Sequence, residues 1–315
     1  MTKKQTGAAA GVYAALVTPR RPNSREADTG SLLDYLDCVT RAGVDGLVLF
    51  GSTGEFVHFE IEERMRVVAL AVKRSRVPVL VNVSHSTLSG ACELAGSAVA
   101  SCAAGLLLMP PYFYRYTDAQ IAAFYHGFQS SVGPGVCLYL YNLPFFTNPL
   151  SFELIQDLIR AGGITGIKDS SGDWSLFEQL RTLRAQIDFQ LLAGHESIYK
   201  RAAEAGADGT VSGVSAAVPE LLVALQRAIR LQNSEGAERL NTRLLEFVDW
   251  IARFPSTVAI RQAAAMRGWI NDDQAVPLDA ETAALTDSFR TWFEAWIPEV
   301  LRECAAGVAS SIVSR

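Results

Sequence analysis

Lysine is scarce in this chain of 315 residues: there are five, among 28 lysines and arginines together. Cysteine is scarce too. Cys38, Cys92, Cys102, Cys137 and Cys304 are odd in number, widely spaced and without a C-x-x-C pair, which argues against a disulfide framework or a zinc ribbon. Reduced thiols in a cytoplasmic protein are expected instead. The four histidines match no ligand spacing, so a divalent ion held by His58, His85, His195 and Glu196 is the weaker of the chemistries considered, and no metal is expected. No apolar run reaches the roughly 18 residues of a membrane span, and MTKKQTGAAAG lacks the apolar stretch of a signal peptide. With a net charge of -5 and a pI near 5.5 there is no basic field for nucleic acid. The expected protein is soluble, with no nucleic-acid or membrane partner.

What is abundant is apolar surface, 49% of residues, enough for a barrel-sized core. Eight short β-rich runs alternate with stretches of helical period, at 12–18, 46–50, 79–83, 105–109, 136–142, 164–168, 189–194 and 209–213. Helix starts are marked by Ser31, Thr117 and Ser151. Eight strand-helix units predict an α/β fold, a closed (β/α)₈ TIM barrel, with a doubly wound sheet as the alternative. Further helical patterns follow, giving a barrel over residues 1–232 and a C-terminal helical appendage over 233–315. Trp292, Phe293, Trp296 and Ile297 form an aromatic stripe there, expected to pack against the barrel or to meet another subunit.

In such barrels the active site lies at the C-terminal strand ends. Four lysines have bland places: Lys3 and Lys4 in a polar tail, Lys73 and Lys200 on helix faces. Lys168 instead ends the sixth apolar run, in GIKDSSGD. Desolvating an ammonium is costly, so burial favours the neutral amine, which attacks carbonyls and can form a Schiff base with a 2-oxo acid. Tyr141 ends the neighbouring run and can pass a proton, since a phenol both donates and accepts. The GSTGE turn brings Gly51 and Gly54, whose backbone N–H groups can approach a carboxylate, and the hydroxyls of Ser52 and Thr53. Each signal alone has a plainer reading, such as Lys168 pairing with Asp169. Together, at the ends of three strands, they point to one site.

These residues resemble the pyruvate-dependent, Schiff-base-forming family of dihydrodipicolinate synthases and N-acetylneuraminate lyases, over roughly residues 11–300. The matching motifs are GSTGE at 51–55, PPYFY at 110–114, YNLP at 141–144, GIKDSSGD at 166–173 and GADGTVSG at 206–213. The resemblance implies Lys168 as Schiff-base lysine, Tyr141 as general acid/base, Ser52 and Thr53 as proton relay and carboxylate holders, and Val211 as pyruvate-pocket lining. It also implies a homotetramer without metal or organic cofactor, acting on pyruvate and an aldehyde.

The departures bear on substrate. Phe146 stands where the synthases place an arginine for the second carboxylate. Phe113 stands at their relay tyrosine, unless Tyr114 substitutes. Ser170 stands where the synthases carry alanine and the sugar-acid lyases a hydroxyl. The expected activity is therefore a class I aldolase or lyase acting on a 2-keto-3-deoxy sugar acid, with the synthase reaction as the alternative. Asn82, Ser84, His85 and Ser212 also favour a hydroxylated substrate, while Phe145 and Phe146 leave room for an apolar or aromatic aldehyde, as in the hydratase-aldolases of the resembled family. A non-catalytic barrel binding a 2-oxo acid is the alternative of another kind.

Overall fold

The computed structural model of the chain describes residues 9–255 and 257–309. Eight parallel strands close on themselves: β1 (Gly11–Ala15), β2 (Gly46–Leu49), β3 (Val79–Asn82), β4 (Gly105–Leu108), β5 (Leu138–Asn142), β6 (Gly166–Asp169), β7 (Gln190–Ala193) and β8 (Gly209–Ser212). The ring is sealed by β1 against β8, with Tyr13 opposite Val211. The helices are α1 (Thr29–Arg41), α2 (Ile61–Arg74), α3 (Leu88–Ala100), α4 (Asp118–Val132), α5 (Phe152–Ala161), α6 (Trp174–Arg184), α7 (Tyr199–Glu204) and α8 (Pro219–Arg230). The predicted barrel is thus the observed one, because near-continuous apolar runs suit strands covered on both faces.

Strand ladders are mostly shorter than the apolar runs that announced them. The run at 12–18 is strand only through Ala15, with one more bond from the Leu16 N–H to Val48 O at 3.0 Å, yet Val17 is buried as well, so hydrophobicity continues past the last ladder bond. The run at 164–168 errs the other way: Asp169 belongs to β6, opposite Asn142 and Ala193.

Helix caps follow local chemistry. Thr117 forms a capping box with Gln120, each side chain accepting from the other's backbone N–H, and the Ser151 hydroxyl accepts from the Leu154 N–H. The expectation for Ser31 is corrected. Asp28 caps α1, which begins at Thr29, and its carboxylate accepts from the Ser31 N–H at 3.1 Å and the Ser31 hydroxyl at 2.8 Å.

After the barrel come α9 (Ser234–Ile251), α10 (Val258–Met266) and α11 (Ala280–Ala309). The aromatic stripe of α11 turns toward α9. Phe247 lies 5.6 Å from the Trp296 ring centre and 5.9 Å from that of Phe293, and the Trp296 indole N–H donates to Glu246 at 2.7 Å. Its rings therefore fill a core between appended helices. Among the described residues no helix is long and apolar enough to cross a membrane.

Candidate active site

Tyr141 of β5 lies directly opposite Lys168 of β6 in the parallel register, and both side chains are buried. The Lys168 Nζ sits 3.8 Å from the centre of the Tyr141 ring. The Tyr141 hydroxyl is 3.0 Å from Ser52 Oγ, in the turn that follows β2. Amine, phenol and serine hydroxyl thus form a continuous line across the barrel mouth, drawn from the three strand ends that the sequence singled out.

Asp169 does not neutralise the lysine. Successive strand residues face opposite ways, and the Asp169 carboxylate accepts from Asn142 Nδ2 at 2.8 Å and from the Ser171 hydroxyl at 2.8 Å. Burial pushes its carboxyl above the usual aspartate range, against the pull of those hydrogen bonds. Among the described residues Lys168 forms no ion pair.

Space beside the amine is created by Gly194. A Cβ there would stand 2.2 Å from Ser170 Oγ and 2.9 Å from Lys168 Cε. Ser170 is buried and its hydroxyl has no hydrogen-bond partner among the described residues, leaving a donor and an acceptor at the lysine's flank. Thr53 is buried across the mouth, its Oγ1 3.0 Å from where a Gly213 Cβ would lie, just beyond β8. Gly51 and Val211 are buried in the β2 turn and in β8.

Phe146 and Tyr114 are both largely exposed. Phe146 lines a cavity of about 160 Å³ that opens beside Ser52. Tyr114 is not among the residues lining that cavity; its ring meets Phe113 edge-on at 5.0 Å. Tyr112, not singled out as a site residue from sequence, lines the same cavity as Ser52. Burial raises the Tyr112 phenol, while Arg64 and hydrogen bonding to Ser86 draw it back.

The GSTGE turn is held by a buried charge cluster that sequence reasoning missed. Glu55 has the left-handed φ of 53° and its carboxylate accepts from Arg20 Nη2 at 3.0 Å and from Arg261 Nη2. The same Arg261 nitrogen donates to Thr18 O at 2.9 Å, and the Thr18 hydroxyl donates to Gly54 O at 2.8 Å. Burial works to raise the Glu55 carboxyl, but Arg261 and Arg20 together outweigh it and hold it below the ordinary range. An end of β1 and a helix of the appendage therefore clamp the turn that carries Ser52 and Thr53.

The polar strand-end set is already spoken for. Asn82 Nδ2 donates to Phe50 O at 2.7 Å, and its Oδ1 accepts from the Ser84 hydroxyl, which in turn accepts from the Met109 N–H at 2.8 Å. Ser212 donates to Glu196 at 2.7 Å, and His85 pairs with Thr87 at the start of α3. Among the described residues no group of three or more His, Cys, Asp or Glu side chains is arranged to hold a metal ion.

The Dihydrodipicolinate synthetase family model matches residues 8–291. The chain belongs to that family. Among curated relatives, the 4-hydroxy-tetrahydrodipicolinate synthase of Methanosphaerula palustris is 28% identical over 290 residues, covering 90% of this chain and 99% of that protein. Among solved structures, YagE, a prophage protein of the dihydrodipicolinic acid synthase family from E. coli K12 in complex with pyruvate, superposes with TM-score 0.85 at 24% identity, covering 91% of this chain and 98% of its own. CdNal from Clostridium difficile, in complex with mannosamine, gives TM-score 0.84 at 19% identity over 92% of this chain and 100% of its own. At these identities the two structures bear on the fold alone. As a member of the family the protein is a pyruvate-dependent carbon–carbon lyase of the aldolase type, in a family that works through a lysine Schiff base without a metal cofactor. The non-catalytic barrel is thereby set aside.

Proposed function

We propose that this protein joins and separates pyruvate and an aldehyde through an imine on Lys168. The observation that carries the reading is the line from Lys168 Nζ to the Tyr141 ring to Ser52 Oγ. The Lys168 amine adds to the pyruvate C2 carbonyl and, on loss of water, gives a protonated imine. That imine withdraws electrons so that a proton leaves the methyl carbon, forming an enamine. The enamine carbon attacks the aldehyde carbon, whose oxygen takes a proton from the Tyr141 hydroxyl, with Ser52 as relay. Water then releases a 4-hydroxy-2-oxo acid and frees Lys168; cleavage is the reverse.

Thr53, the backbone at Gly51 and the Ser170 hydroxyl are the donors available to the pyruvyl carboxylate, and Val211 closes the strand wall. Phe146 supplies no charge for a second carboxylate, which weighs against the synthase reaction. The sugar-acid reading loses part of its support, because Asn82, Ser84 and Ser212 spend their hydrogen bonds inside the protein. The same proposal includes a cytoplasmic homotetramer. It fits the five free thiols and the exposed Phe113 and Tyr114, and sedimentation of the purified protein tests it.

Borohydride added with pyruvate tests the chemistry. The mass should rise by one reduced pyruvyl group, mapped to Lys168, and Lys168→Ala should take none. Unchanged wild-type mass, or label on another residue, contradicts the proposal.

A further inference from the structure

Tyr141 and Lys168 are each the last residue but one of their strands, and the residue that follows each is polar and buried. In the register Asn142 stands opposite Asp169, the final pair of the β5–β6 ladder. Both are nearly inaccessible, at 1% and 2% exposure. Because successive strand residues point to opposite faces, this pair lies behind the reacting pair, on the helix side of the barrel wall.

Its hydrogen bonds gather the ends of several elements. Asn142 Nδ2 donates to Asp169 Oδ1 at 2.8 Å, and Asn142 Oδ1 accepts from the Leu150 N–H at 3.1 Å, just ahead of α5. Asp169 Oδ1 also accepts from the Ser171 N–H at 3.2 Å, and Oδ2 accepts from the Ser171 hydroxyl at 2.8 Å. That hydroxyl in turn accepts from the N–H of Asp173, the cap of α6, at 3.0 Å. The main chain takes part as well: Asn142 O accepts from the Ser170 N–H at 2.9 Å, and Asp169 O from the Gly194 N–H at 2.7 Å, where β7 has ended.

Among the described residues Asp169 has these donors and no ion pair. Burial pushes its carboxyl up, and the hydrogen bonds offset this only in part. A buried acid without a cation costs stability, and a well-packed apolar pair would be the more stable filling. What the pair supplies is directional restraint, at a strand end where the ladder has neighbours on one side only.

We infer that Asp169 and Asn142 are positioning residues for the imine chemistry: their bond behind the wall fixes the two strand ends so that the Lys168 amine stands 3.8 Å from the centre of the Tyr141 ring. They themselves touch neither pyruvate nor aldehyde. A misplacement of about 1 Å in such a pair can cost roughly 10²-fold in rate, and supporting side chains locked by hydrogen bonds are what prevents it. The inference rests on the Schiff-base reading above and names the residues through which the fold holds the reacting pair.

The test follows exchange of the pyruvate methyl protons in heavy water by NMR, with borohydride labelling run in parallel. Imine and enamine formation on Lys168 produces that exchange without any aldehyde. Asp169→Ala should lower the maximal exchange rate about tenfold or more and leave the KM for pyruvate within about twofold, because the carboxylate donors of the β2 turn are untouched. Asp169→Asn should restore both the rate and its pH profile. Its amide oxygen can accept from Asn142 and the Ser171 N–H, and its amide N–H can donate to the Ser171 hydroxyl. A normal maximal rate in Asp169→Ala, whatever happens to Tm or KM, overturns the inference, since the residue is then structural alone. Asp169→Asn as slow as Asp169→Ala, or with a displaced pH profile, overturns it too, because the charge and not the hydrogen bonds then acts on Lys168. If Asp169→Ala fails to fold, Ser171→Ala decides. It removes the bond to Oδ2 and leaves the other two, so the maximal rate should fall with KM unchanged, and a normal rate overturns the inference. Lys168 unlabelled in the wild type overturns the Schiff-base reading and this inference with it; with the label present, the contrary results overturn this inference alone.

Discussion

Tyr141 makes two contacts that separate its roles: its ring faces the lysine amine and its hydroxyl faces Ser52. Replacing it by phenylalanine keeps the first and deletes the second. Tyr141→Phe is therefore expected to lower kcat by about 10²-fold or more, while pyruvate plus borohydride still labels Lys168. An unchanged kcat would remove Tyr141 from proton transfer. Gly194→Ala should act differently. Its new methyl would fall within 2.2 Å of Ser170 Oγ and 2.9 Å of Lys168 Cε, so labelling by pyruvate itself should drop sharply in a protein with unaltered circular dichroism. At this scale the sequence was informative about residues whose chemistry is rare where they stand. A lysine ending an apolar run is conspicuous. Ser170 stood out only through the resemblance, and the wall residue Tyr112 did not stand out, because its place in the cavity comes from neighbours supplied by other strands.

Elements carry the clamp on the GSTGE turn. Its parts were illegible in sequence because Glu55 meets one arginine 35 positions away and another 206 away, and each alone reads as an ordinary charged residue. Removing one member of a buried pair leaves uncompensated charge, at about 3–5 kcal/mol. Glu55→Gln should accordingly lower Tm at neutral pH. The Glu55 carboxyl is held below its ordinary 4.5 in the folded protein, so its ionisation favours folding above that value. That contribution disappears as pH falls through the depressed value. The Tm gap between wild type and Glu55→Gln should therefore narrow on acidification, and a gap that widens would contradict the assignment. Helix starts show how far local pattern reaches. Thr117 and Ser151 were readable because each is the first polar residue before a helical period. At α1 the sequence marked Ser31, and the cap lies three residues earlier, at Asp28, whose carboxylate accepts two hydrogen bonds from Ser31.

For the molecule as a whole, the barrel was legible because eight apolar runs with helices between them have few ways to be covered on both faces. The appendage was legible as helix, but its partner was not, since an aromatic stripe says only that something must cover it. In the fold the stripe of α11 closes on Phe247 and Trp250 of α9, with Trp250 and Trp292 ring centres 5.4 Å apart. Phe247→Ala should thus cost about 3–5 kcal/mol of stability, read as a lower urea midpoint, while the ability of Lys168 to take pyruvate persists below that midpoint. Dissociation of an oligomer without loss of stability would instead place the stripe at a subunit contact.

The central claim is a covalent bond between one lysine and one keto acid. A crystal structure of the protein grown with pyruvate tests it most directly. The account predicts continuous density from Lys168 Nζ to the pyruvate C2, with the Tyr141 hydroxyl beside it. A pyruvate lying unbonded next to an unmodified Lys168, or linked to another side chain, would contradict it.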